Sequence, residues 1–239
     1  ISTNPINFQG SPVAGTIYQW TNNNTQIGIG AAGTGNIAPF SATNNTNFPL
    51  SALITVTPYS NSCSGAPKQF NIIIKSTPNV DTVANQIICA GGISQAVVFG
   101  GSKVNNTQYN WISSFGTNGG LPASSGTGNI PAFSSVNITN ATIINTIQVT
   151  PFFNGCNGAP ISFAFIIHPI PKINPVTNRD ICGSALTNPI IFSGSNVAGT
   201  VYEWSNSNPN IGLAINGTGN IPSFTPTNSF NFPIATNIM

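Results

Sequence analysis

The sequence predicts an all-β fold, a string of two-sheet sandwiches joined end to end. Three observations predict it. First, one block occurs three times: Tyr-x-Trp, a polar loop, then Gly-Thr-Gly-Asn-Ile and a Phe. Its copies are Tyr18-Gln19-Trp20 with Gly33-Thr34-Gly35-Asn36-Ile37 and Phe40, Tyr109-Asn110-Trp111 with Gly126-Thr127-Gly128-Asn129-Ile130 and Phe133, and Tyr202-Glu203-Trp204 with Gly217-Thr218-Gly219-Asn220-Ile221 and Phe224. The tryptophans stand 91 and 93 residues apart, a period that amounts to a whole small domain. Second, no stretch sustains a capped 3.6-residue apolar period, whereas short alternating runs are frequent. Third, turn residues separate those runs at regular intervals, as in a sandwich of about seven short strands.

The middle repeat can be followed from end to end. Residues 80–89 read as a first strand and 95–99 as a second, ending in Gly100-Gly101. The third, 108–112, puts Tyr109 and Trp111 on one side because side chains alternate along a strand. Residues 113–128 read as a loop, with Gly119, Gly120 and Pro122 as breakers. A short strand at 130–136 and two long ones at 143–150 and 161–167 complete the repeat. The last two are joined by the hairpin Asn154-Gly155-Cys156-Asn157-Gly158-Ala159-Pro160, rich in residues that accept positive φ. A Trp on the third strand makes the sandwich immunoglobulin-like, with Trp20, Trp111 and Trp204 as core residues.

Aligning the other copies on this one gives repeats at 1–77, 78–170 and 171–239. The first is expected to begin after its first strand and the third to stop inside its sixth, which makes the sequence a segment of something longer. Targeting signals would then lie outside it. The links Lys75-Ser76-Thr77-Pro78-Asn79 and His168-Pro169-Ile170-Pro171-Lys172 are short and proline-marked, so they act as semi-rigid spacers in an extended rod. Each repeat should advance such a rod by roughly 35–45 Å.

Composition excludes several functions. Only 3% of the residues are charged, and the net charge of +2 forms no basic stripe, so the electrostatic term of nucleic-acid binding is missing. Asn, Pro or Gly breaks every apolar run short of a helical membrane span. Three acids, Asp81, Asp180 and Glu203, recur at no common place, and His168 stands alone beside Pro169, so neither a catalytic triad nor a calcium cage is indicated. No cofactor or metal site is expected. Gly126-Thr127-Gly128 lacks the Lys and helix of a phosphate loop and reads as a tight turn. The sequons at Asn23, Asn44, Asn105, Asn137, Asn140 and Asn216 are those expected by chance in so Asn- and Thr-rich a chain.

The four cysteines follow the period, Cys63 and Cys156 in the last hairpin and Cys89 and Cys182 near the first strand. Paired cysteines in Asn- and Ser-rich units of this size indicate an exported, disulfide-stapled protein. Pairing within the middle repeat gives Cys89–Cys156, with partners for Cys63 and Cys182 outside the segment. An immunoglobulin-type sandwich, however, sets first turn and last hairpin at opposite ends, roughly 25–30 Å apart. Unless Cys89 lies well up its strand, the first-turn cysteine of one repeat would instead meet the hairpin cysteine of the next. The within-repeat pair is the expectation tested below.

Taken in series, the motifs at 199–204, 211–213, 217–224, 55–58, 154–160 and 169–171 resemble the PKD-like repeats of very large surface proteins of the Bacteroidetes. The resemblance covers essentially the whole chain. Repeat two departs from the pattern at Gly116-Thr117-Asn118-Gly119-Gly120-Leu121, where the others have Ile27-Gly28-Ile29 and Ile211-Gly212-Leu213. The resemblance implies a gliding-motility adhesin or related surface filament, exported by the type IX secretion system to the cell surface and associated with the outer membrane. Its implied partners are an extracellular surface or polysaccharide, neighbouring repeats, and the secretion or motility machinery. It also implies O-glycosylation at Thr82, in Asp81-Thr82-Val83. A non-enzymatic structural role is the leading expectation. The alternatives are a carbohydrate-binding module using Tyr59, Phe152 and Phe153, and the stalk of a secreted hydrolase.

Overall fold

The computed structural model describes residues 2–239, and the chain is all-β. Three hydrophobic clusters each gather around one tryptophan, so the three units hold separate cores. In the first unit β1 (Ile17–Asn22), β2 (Ala32–Thr34), β3 (Leu50–Ser60), β4 (Cys63–Ser64) and β5 (Lys68–Ile74) form one sheet. In the second, β6 (Gln86–Cys89), β7 (Gln108–Ser113), β8 (Ser125–Thr127), β9 (Ile143–Phe153), β10 (Cys156–Asn157) and β11 (Ile161–His168) form another, in the order β6-β11-β9-β7-β8 with β10 on β9. The third contributes β12 (Glu203–Ser205) and β13 (Asn216–Thr218), paired antiparallel.

The topology of the second unit is that of an immunoglobulin-type sandwich. β11 lies between β9, to which it is antiparallel, and β6, to which it is parallel. The facing layer is thin, held by the bridges Ile93↔Ser134 and Val97↔Ile130. It continues through the Asp81 N–H, which donates to the Gly100 carbonyl at 3.0 Å before the chain crosses to β6. The single strand expected over 80–89 is thus divided between two layers. Side chains alternate along β9, where Asn145, Ile147, Val149 and Pro151 face inward, to meet Phe163 and Phe165 of β11. Burying each of these apolar side chains stabilises the unit by about 1.5–3 kcal/mol.

The stretch 113–128, expected to be all loop, contains β8, which pairs with β7 in the register Trp111↔Gly126. Glycine carries no side chain to show alternation, which hid this strand. The same pairing recurs as Trp20↔Gly33 and Trp204↔Gly217.

Units one and two meet through the link between them, in which Ser76 and Pro78 are fully buried. The Lys75 ammonium donates to the Asn154 carbonyl at 2.7 Å, and Gly158 lies so close to the Pro78 carbonyl that a Cβ there would overlap it. The hairpin of the second unit therefore sits at its entry end, against the incoming link. At the exit end Ala90, Gly91, 135–140 and the link residue Ile170 line an open groove with Lys172 and 194–197 of the third unit.

Candidate functional site

The repeated motif is the candidate site, and most of its positions can be followed to a physical task. The tyrosine hydroxyl accepts a backbone N–H from the preceding loop: Ser11 to Tyr18 at 3.1 Å, Ser102 to Tyr109 at 3.4 Å and Ser195 to Tyr202 at 3.3 Å. Two residues on, Trp20, Trp111 and Trp204 are only 8%, 6% and 7% exposed. Each indole lies over the glycine directly across the ladder, an aromatic covering an edge-strand glycine. A Cβ at Gly126 would stand 2.6 Å from Trp111 Cζ2, and Gly33 and Gly217 are as tightly covered. No indole N–H has a hydrogen-bond partner within the protein.

The second glycine of the motif turns the chain. Gly35, Gly128 and Gly219 hold φ of 76°, 81° and 72°, where L-residues are strained, and their N–H groups return to the carbonyls of Tyr18, Tyr109 and Tyr202. The asparagine that follows bridges the layers of its sandwich. Asn36, Asn129 and Asn220 each accept, through Oδ1, the N–H of a phenylalanine on the facing segment, Phe8 at 2.9 Å, Phe99 at 3.0 Å and Phe192 at 2.9 Å. Ile37, Ile130 and Ile221 then enter the core, and the N–H groups of Phe40, Phe133 and Phe224 donate to Thr3, Ser94 and Thr187 hydroxyls. The repeated threonine, Thr34, Thr127 and Thr218, is left exposed, and in the second unit its hydroxyl donates to the Asn110 side chain at 2.9 Å.

Repeat two's departure has a structural counterpart. In the first and third units a 3-10 turn precedes Gly28 and Gly212, and buried Asn22 and Asn206 hold the loop by donating to the carbonyls of Ile29 and Gly30, and of Leu213 and Ala214. The second unit has Ser113 at that place. There Asn145 from β9 reaches across, donating to Gly116 and Asn118 carbonyls at 3.2 and 2.9 Å and accepting from the Ser113 hydroxyl at 2.6 Å. The buried amide has moved from one strand to another, a substitution the sequence does not announce.

The remaining candidates are dispersed. Asp81, Asp180 and Glu203 are exposed on different segments. His168 is exposed and shares a 2.9 Å hydrogen bond between its Nδ1 and the Thr142 hydroxyl. No group of three or more His, Cys, Asp or Glu residues that could hold a metal ion occurs among the described residues. Tyr59, Phe152 and Phe153 are half-buried in β3 and β9 beside their hairpins. Thr82 is exposed in the stretch that crosses between layers. Among the described residues no helix is long and apolar enough to cross a membrane.

The cysteines correct an expectation. All four thiols are free, Cys63, Cys89 and Cys182 exposed and Cys156 partly buried. Cys89 is paired in register with His168 at the end of β11, whereas Cys156 lies in the hairpin before Ile161 at its start. Seven residues of strand separate those two ends by roughly 23 Å. A disulfide requires Cα atoms within about 7 Å, so the within-repeat pair Cys89–Cys156 is not compatible with this fold.

No family model matches this chain, and no curated protein matches it. Among solved structures, the cadherin-like domains 1 to 4 of zebrafish RET align over 87% of this chain and 57% of that one, at 10% identity and a TM-score of 0.21. The chain thus spans little more than half of that structure, and a score this low carries no inference about either.

Proposed function

We propose that this chain is a non-enzymatic structural segment of a long, repetitive bacterial cell-surface adhesin or filament, in which length is the working property. The observation that carries the reading is the use of the repeated motif. Three times over, the recurrent tyrosine hydroxyl, asparagine Oδ1 and phenylalanine N–H are hydrogen-bonded inside their own sandwich. Apart from the exposed Thr34, Thr127 and Thr218, the repeated polar groups are spent on building the unit itself. Unit added to unit then gives reach.

On this reading the partners are an extracellular surface or polysaccharide met beyond this segment, and neighbouring repeats within it. The sequence resemblance supports export by the type IX route, an outer-membrane association and a part in gliding or surface colonisation. It also supports a glycan on Thr82, whose exposure leaves it accessible.

Small-angle scattering of the chain tests the rod. Three units of roughly 35–45 Å in line give a radius of gyration of about 30–40 Å, whereas a compact body of this length would give about 18 Å. The larger value supports the proposal, and the smaller sinks it. Electron microscopy of native cells, seeking filaments with an axial period near one unit, tests the location.

A further inference from the structure

The four cysteines are not scattered over the surface, because the fold sends each to one end of its unit. Cys89 sits at the exit end of the second unit, beside His168, and the two residues after it, Ala90 and Gly91, line the groove that faces the third unit. Cys156 sits at the entry end, two residues from Asn154, whose carbonyl is held by Lys75 of the first unit. Lys75 is the first-unit counterpart of His168, each standing twelve residues after its hairpin cysteine. It therefore occupies the strand row that, in the second unit, neighbours the first-turn cysteine. At the joint between units one and two, a side chain from the row of the first-turn cysteine already touches the turn that carries the hairpin cysteine of the next unit.

We propose that disulfides run across the joints, from the first-turn cysteine of each unit to the last-hairpin cysteine of the unit that follows. Cys89 would then pair with the hairpin of unit three and Cys156 with the first turn of unit one. The counterparts of those two partners fall, by alignment, after Met239 and ahead of Ile1. The chemistry is thiol–disulfide exchange with a dithiol oxidoreductase in its disulfide form. One cysteine thiolate attacks that disulfide to give a mixed disulfide, and the second thiolate displaces the enzyme thiolate. Two protons and two electrons leave the pair of cysteines, and the oxidoreductase departs as its dithiol. The proposal depends on the order of the units and on which end each cysteine occupies, not on a surface role for the protein.

The test supplies the missing partner. A copy of residues 171–184 fused ahead of Ile1 gives the first unit a first turn and a copy of Cys182. The chain is oxidised with glutathione disulfide and a dithiol oxidoreductase, digested with chymotrypsin without reduction, and its linked peptides identified by mass spectrometry. A dominant link between the added cysteine and Cys156, lost in Cys156→Ser, is the expected result. A link from the added cysteine to Cys63, or a free added cysteine in a folded chain, overturns the proposal. A second measurement does not depend on that fusion folding. The 239-residue chain, oxidised in the same way, should yield no peptide joining Cys89 to Cys156, and recovery of that peptide overturns the proposal equally.

Discussion

At the scale of single residues, the motif is governed by one close approach. Trp111 lies on Gly126 because only a residue without Cβ lets the indole settle across the ladder, and the same holds at Trp20 and Trp204. Gly126→Ala is therefore expected to force the indole or β8 out of place and to destabilise the second unit by about 1–3 kcal/mol, the usual cost of overpacking a filled core. Urea unfolding followed by tryptophan fluorescence checks this, and an unchanged midpoint for the affected unit would contradict it. The three tryptophans were legible as core residues from their spacing. Their cross-strand glycines were not, since a Gly-Thr-Gly run looks like a turn until a ladder partner is known.

Among the elements, what could be read was what alternates. β9 and β11 show long apolar periodicity and were placed within a few residues of their observed ends, as was β7. The facing layer was misjudged in kind. The segments around Val97 and Ile130 do pair, but only through isolated bridges, and much of their attachment comes from asparagine and serine side chains. Such side-chain bonds leave no period in the sequence. The long loop of the second unit shows the same limit, because the amide that fixes it, Asn145, comes from a strand more than 25 residues further along the chain. Replacing it with Ala removes three hydrogen bonds at a buried site and strands the Asn118 carbonyl, while that of Gly116 keeps the Ser113 hydroxyl. The expected loss is about 1–3 kcal/mol, the cost of unsatisfied buried polar groups. Hydrogen exchange should show loosened protection over 113–121 in the variant, and protection equal to the parent would refute the assignment.

For the whole molecule, the scarcity of charge is the governing fact. With 3% charged residues there is little for salt to screen, and the outward faces carry amides and hydroxyls such as the Gln69–Thr55 pair, 3.0 Å apart. The thermal midpoint is accordingly expected to move by less than about 3 °C between about 0.02 and 0.5 M sodium chloride, since few screened interactions contribute to it. Calorimetry across that range decides the matter, and a shift of about 10 °C would mean that a charged contact dominates.

The turn at the entry end of the second unit has a chemical future as well as a structural role. Asn154 is followed by Gly155 and Asn157 by Gly158, and a glycine successor leaves the backbone N–H free to attack the asparagine amide, expelling ammonia through a succinimide. Hydrolysis then leaves aspartate or isoaspartate, adding a negative charge and, in the second case, an extra methylene to the main chain. Both events fall where Lys75 and Pro78 grip the hairpin. Asn118-Gly119 and Asn216-Gly217 share this chemistry within their own units, whereas at the hairpin the change falls on the contact between one unit and the next.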